Sequence, residues 1–213
     1  MGRIRQGANG GFRGKAGSVV GSSWKGIDYI KGLPKKSSKP PTMAQLETQA
    51  KFKLLMRFLT SVNMFLQVGF GHKQNSKSTP ANVAFQFNLF KAIAGAYPNY
   101  TLDYANISFS DGGLFSAGTV TAEFDTDKIN VTWDVSASKR LNKLGDDQLF
   151  ILAYHPQKNE FLTTDDVPLR EDGTAVMAVP QHLRQGDIHV WYFMTDRTEK
   201  QVSNTSYLGL ITI

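Results

Sequence analysis

The chain has 213 residues, 41% of them hydrophobic and 20% charged, which is enough apolar material for a core and unlike the composition of a disordered chain. Cysteine is absent, which excludes disulfides, thiolate zinc sites, iron–sulfur clusters and cysteine nucleophiles together. The formal charge of +6 hides an asymmetry: residues 1–100 carry fifteen of the 24 Lys and Arg against only Asp28 and Glu47, a net +13, while nine bases and 16 acids leave the remainder at −7. Each half can therefore attract an oppositely charged partner, and nucleic acid and self-association are both open.

Residues 1–41 hold nine of the 19 glycines, together with nine Lys and Arg. They read as a basic, glycine-rich arm. Gly7, Gly10, Gly14, Gly17 and Gly21 recur at steps of three and four, which would line one helix face with hydrogen atoms. Glycine opposes a helix by about 1 kcal/mol per position relative to Ala, so an extended or looped arm is expected in water. Gly10, Gly11, Phe12, Gly14, Gly17, Val19, Val20, Gly21, Trp24, Ile27 and Tyr29 are the candidate assembly residues, because this arm has apolar groups to bury and no core of its own. They argue for docking on a neighbouring subunit over a disordered tail.

Residues 42–100 predict a helical hairpin. After Pro40 and Pro41, Thr42 with Gln45 forms a capping-box pattern, and Met43, Leu46, Ala50, Leu54 and Phe58 follow at helical spacing to about Gln67. A polar loop leads to Pro80, suited to a first helical position, and Val83, Ala84, Phe87, Phe90 and Ala94 continue a second helix to about Gly95. From residue 101 to 213 the period becomes two. Strands are expected at 105–110, 118–124, 129–135, 149–154, 175–179, 188–195 and 207–213, separated by Asp- and Gly-rich turns. Val131, Trp133, Phe150, Leu152, Val190, Tyr192 and Met194 are the expected inward set. The fold class is α+β: arm, helical hairpin, then an antiparallel immunoglobulin/fibronectin-like β-sandwich.

Catalytic patterns fail on inspection. Gly14-Lys15-Ala16 lacks the first glycine and the hydroxyl of a phosphate loop, and Gly21-Ser22-Ser23-Trp24 has the wrong spacing for a nucleophile elbow. His72, His155, His182 and His189 are scattered, and Asp125, Asp127 and Asn130, or Asp165 and Asp166, suit hairpin turns better than a calcium loop. No catalytic, cofactor or metal residue is assigned, and no small-molecule substrate is inferred. One constellation suits nucleic acid. Arg3, Arg5, Arg13, Lys15, Lys25, Lys31, Lys35 and Lys36 could neutralise phosphates while Phe12, Trp24 and Tyr29 stack on bases. No export signal is expected, since residues 1–32 alternate Gly, Arg, Lys and Ser, and no apolar run reaches the length of a membrane span.

The stretch Gly10-Gly11-Phe12-Arg13-Gly14-Lys15-Ala16-Gly17-Ser18-Val19-Val20-Gly21, then Trp24-Lys25-Gly26-Ile27-Asp28-Tyr29-Ile30 and Leu33-Pro34-Lys35-Lys36, resembles a domain-of-unknown-function family common in Bacteroidota. Pro40-Pro41-Thr42 and the closing stretch 202–209 extend the likeness over most of the chain. The resemblance implies a bacterial or bacteriophage setting and transfers no activity. The expectation is a non-enzymatic, homo-oligomeric structural subunit of a filament, tube or phage-like particle, cytoplasmic or virion-associated. A nucleic-acid-binding protein is the alternative.

Overall fold

The computed structural model describes residues 2–3, 11–35, 38–74, 78–136 and 145–213. Two compact units divide the chain, Met1–Met43 and Ala44–Ile213.

The first unit is a sheet where an arm was expected. Strands β1 (Gly2–Arg3), β2 (Gly14–Ala16), β3 (Val19–Trp24) and β4 (Ile27–Gly32) pair antiparallel in the order β1-β4-β3-β2. The glycine spacing serves turns and close packing. Gly17 (φ 58°) opens the β2–β3 turn, and Lys25-Gly26 (φ 48° and 77°) forms the two-residue β3–β4 turn with both residues left-handed, the twist that suits a tight hairpin. At Gly21 the backbone of Phe12 crosses so closely that a Cβ there would overlap the Phe12 carbonyl oxygen. Only glycine fits the crossing.

The second unit begins with three helices rather than two: α1 (Met43–Thr60), α2 (Asn63–Gly71) and α3 (Pro80–Leu89). The continuous helix expected to about Gln67 breaks after Thr60, where α1 and α2 turn by 93°. Thr60 Oγ1 donates to the Met56 carbonyl (2.7 Å), and the Val62 amide bonds only as far back as Leu59 (3.2 Å), so the ladder tightens and stops. The bend lets Leu55, Phe58 and Leu59 on one helix and Leu66 and Phe70 on the next enter the same core. No single described helix is long and apolar enough to cross a membrane. Pro80 is the first residue of α3, whose N-cap hydroxyl on Thr79 accepts from the Asn82 amide (3.3 Å).

The second helix was expected to reach Gly95 but ends at Leu89. A hairpin follows, β5 (Ile93–Ala96) and β6 (Asn99–Leu102), with Gly95 left-handed (φ 87°) and a cis Tyr97–Pro98 bond. The strand expected at 105–110 is absent. Tyr104–Asn106 form a 3-10 turn, and the segment beyond is tied by side chains instead of a ladder. Thr205 Oγ1 accepts from the amides of Phe109 and Ser110, both at 2.8 Å, and buried Asn88 both donates to and accepts from the Ser108 backbone at 2.8 Å.

Seven further strands make two antiparallel sheets: β7 (Val120–Asp125), β8 (Lys128–Trp133) and β11 (Thr174–Ala178) in the order β11-β8-β7, and β9 (Gln148–His155), β10 (Glu160–Thr163), β12 (Asp187–Thr195) and β13 (Ser206–Thr212) in the order β10-β9-β12-β13. Only β10 had not been expected. One core joins the sheets: Ile129, Val131, Trp133 and Met177 meet Leu149, Ile151, Val190, Tyr192 and Met194. The opposite face of β9 and β12 presents Leu152, Tyr154, Trp191 and Phe193 to the helices, with Phe150 packed at the margin. The expected inward set therefore mixed two faces, since Phe150 and Leu152 belong with the helices. Because successive strand residues alternate sides, a strand covered on both faces is apolar throughout. Each fully buried Leu, Ile, Val or Phe contributes about 1.5–3 kcal/mol.

Arg170, 1% exposed, lies beside Trp133 of the sheet-to-sheet core. Its Nε donates to Asp147 Oδ2 (2.9 Å), and its two Nη groups donate to the carbonyls of Phe115 (2.5 Å) and Ser116 (3.2 Å). Its own carbonyl accepts from the Trp133 indole (2.8 Å).

Candidate functional site: the N-terminal sheet

Register decides which side chains of the first unit share a face. Lys15, Val20 and Lys31 stand directly opposite one another, as do Ser22 and Tyr29, then Trp24 and Ile27. Opposed residues project to the same side and alternate rows to opposite sides, so these three rows form one face: two lysines, two aromatics, two aliphatics and Ser22. The intervening rows, Ala16–Val19–Gly32, Gly14–Gly21–Ile30 and Ser23–Asp28, form the other. There Phe12 lies against Gly21, and Asp28 packs against Gly11.

Charge is thereby segregated. Residues 1–43 carry nine Lys and Arg and a single acid, Asp28, a net +8. That acid stands on the face away from Lys15 and Lys31, so the cationic face has no internal counter-charge among the described strand residues. Lys15, Lys31 and Lys35 are exposed, as are Arg13 and Lys25, and Trp24 keeps 47% of its surface in solvent. Arg3 pairs with Tyr29 on the edge strand. Arg5, Gly10 and Lys36 lie outside the described residues.

Of the candidate assembly residues, Val20, Trp24, Ile27 and Tyr29 share the cationic face, whereas Gly14, Val19 and Gly21 lie on the other and Gly17 is in a turn. Sequence reasoning treated them as one set and missed the division. The signal was present, because Ile27, Tyr29 and Lys31 alternate with Asp28 and Ile30.

In the second unit the histidines have separate tasks. His155 is buried with Nε2 at 2.8 Å from the Gln185 carbonyl, His182 pairs with Glu160 (2.8 Å), and His189, on β12, meets the Tyr207 hydroxyl through Nδ1 (2.6 Å). Burial lowers the pKa of His189, opposed by Asp187. Asp125 and Asp127 bracket the β7–β8 turn, where Thr126 is left-handed (φ 55°), and Asp127 pairs with Arg184 (3.7 Å). Among the described residues no three His, Asp or Glu converge as metal ligands.

Residues 11–209 match the profile of one protein family, a family of unknown function designated DUF6266. The chain belongs to that family. The match runs through both units, so strands β2 to β4 of the N-terminal sheet are part of the family's common chain along with the helices and strands that follow. No curated protein and no solved structure matches the chain.

Proposed function

We propose that the protein is a non-enzymatic structural subunit that self-associates through its N-terminal sheet, as in a filament, tube or phage-like particle. One observation carries the proposal: among residues 11–35 and 38–43, Gly21 alone is buried, and every apolar side chain there is half-buried or exposed. A small sheet without a fully buried apolar side chain is at best marginal in water, and folds below about 40 residues ordinarily need a staple or a partner. Laying one face on a neighbour supplies the missing burial. Charge favours another copy of the chain as that neighbour, since a net +8 in residues 1–43 complements the −7 of residues 101–213.

The strand orders β11-β8-β7 and β10-β9-β12-β13 support reading the second unit as a fibronectin-type sandwich with helices added to one sheet. A cytoplasmic or virion-associated setting goes with this reading. The test is light scattering with negative-stain imaging on the full chain and on residues 44–213, at low and high salt. Ordered assemblies formed by the full chain and lost on truncation are expected. A monomer in both forms at high concentration refutes the proposal.

A second reading, nucleic-acid binding, is favoured by one specific observation: Lys15, Lys31, Tyr29 and Trp24 share one face. Lysines neutralise phosphates and aromatic faces stack on unpaired bases. Fluorescence anisotropy with a single-stranded oligonucleotide should then show binding that weakens steeply with salt and is lost in a Lys15→Glu/Lys31→Glu variant. No binding at low salt refutes it.

A further inference from the structure

A cleft of about 550 Å³ opens in the second unit between α1, β6 and the β9–β10 turn. Its volume falls in the range of small-ligand sites. Its floor is aromatic: the half-buried rings of Tyr100 and Tyr104 line it, backed by buried Tyr154, whose ring centroid lies 5.6 Å from Tyr104 and 4.9 Å, edge-on, from buried Phe58. Its rim is polar, with Arg57 from α1 and Gln157 and Asn159 from the β9–β10 turn. No acidic side chain lines it.

The hydrogen bonds leave this rim with donors to spare. The Tyr154 hydroxyl donates to Asn159 Oδ1 (3.0 Å), which fixes the amide so that Asn159 Nδ2 remains a donor. Asn159 is held for this by a left-handed backbone (φ 56°), one of the few such positions not occupied by glycine. Neither the Arg57 guanidinium nor the Gln157 amide bonds another described residue. The walls also stay neutral, because burial first and then the neighbouring Tyr154 push the Tyr104 phenol up to about 12, and burial raises Tyr154 as well.

We propose that this cleft binds a sugar acid of one or two rings, its carboxylate on Arg57 and its hydroxyls on Gln157 and Asn159. A guanidinium matches a carboxylate with two parallel N–H bonds, neutral amides offer both a donor and an acceptor to a hydroxyl, and the C–H faces of a pyranose pack on an aromatic floor. A bare anion would use the arginine but leave the amides and the apolar floor idle. A neutral sugar would leave the arginine unpaired.

The proposal is independent of the assembly reading and is tested on the full chain by calorimetric titration with methyl glucuronide, methyl glucoside and acetate. The glucuronide should bind saturably, with the glucoside and acetate each at least about ten-fold weaker. Arg57 is exposed on a helix and glutamine is a good helix former, so Arg57→Gln should keep its circular dichroism while the glucuronide falls to the level of the glucoside. Gln157→Ala, on an exposed turn, should weaken both sugars and leave acetate unchanged. Failure of the glucuronide to saturate by about 10 mM, acetate binding as tightly as the glucuronide, or a glucuronide affinity indifferent to Arg57→Gln would each overturn the proposal.

Discussion

Arg170 tests how the two sheets of the second unit are held together. Replacing it with methionine keeps an unbranched stem and removes at least the pair with Asp147, 1% and 5% exposed on the two side chains, and the donations to the Phe115 and Ser116 carbonyls. The backbone bond from the Arg170 amide to the Asp147 carbonyl (2.8 Å) and the one from the Trp133 indole can persist, so the loss is confined to the guanidinium. What remains is a carboxylate out of water with no counter-charge. Removing one member of a buried pair costs about 3–5 kcal/mol. At about 2–4 °C per kcal/mol for a chain of this size, melting should fall by about 6–20 °C. Adding Asp147→Leu removes the orphaned charge, so the double variant should recover much of the loss, a strong non-additivity.

The pH dependence supplies an internal control. Burial already raises the Asp147 carboxyl above its ordinary value, and Arg170 opposes that rise. Without Arg170 the folded-state value climbs further above the unfolded one. The folded variant then binds the proton more tightly than the unfolded chain, so its deficit is largest near neutral pH and shrinks as pH falls through the folded value toward 3.8. Urea denaturation of the four members of the cycle at several pH values measures all of this. A single-variant loss below about 1 kcal/mol, or additive losses, would refute the reasoning.

Three further outcomes are expected. Thr205→Val strips the shared acceptor from the Phe109 and Ser110 amides, at about 1–3 kcal/mol for each donor left without water, so amide exchange at these two sites should accelerate; unchanged protection would contradict the side-chain tie. Burial holds the His189 pKa below its ordinary 6.5, so the unfolded chain takes the proton more readily, and stability should fall as pH drops from 6.5 toward the folded value. His189→Gln should flatten that part of the stability–pH curve, and an unaltered curve would count against His189 as its source. Gly21→Ala places a Cβ on the Phe12 carbonyl and should displace residues 11–12, abolishing self-association while the melting of the second unit holds; assembly that survives the substitution would remove the N-terminal sheet from the interface.

The change of period near residue 101 was legible because hairpin strands carry their own turn residues, and six of the seven expected strands have a counterpart in the two sheets. The break after Thr60 was not legible, because the apolar stripe continues through Val62, Leu66 and Phe70 and only the shared core explains the 93° turn. The hairpin of Ile93–Leu102 was hidden for a related reason: Ala94 and Ala96 suit a helix, and tertiary context overrides so weak a preference.

Face assignment failed where burial is two-sided. In β9 the residues Leu149 to Tyr154 are apolar without interruption, so no period of two distinguishes Ile151, which meets the second sheet, from Leu152, which meets the helices. The same periodicity became informative in the N-terminal sheet for the opposite reason. Its described strand side chains are at most half-buried, so polarity alternates with little interference from packing, and Lys15, Tyr29 and Lys31 fall on one side with Asp28 on the other. A sheet whose faces can be told apart by charge alone is one whose apolar burial is still unmade. That is the physical ground for expecting the first unit to complete its fold against a partner.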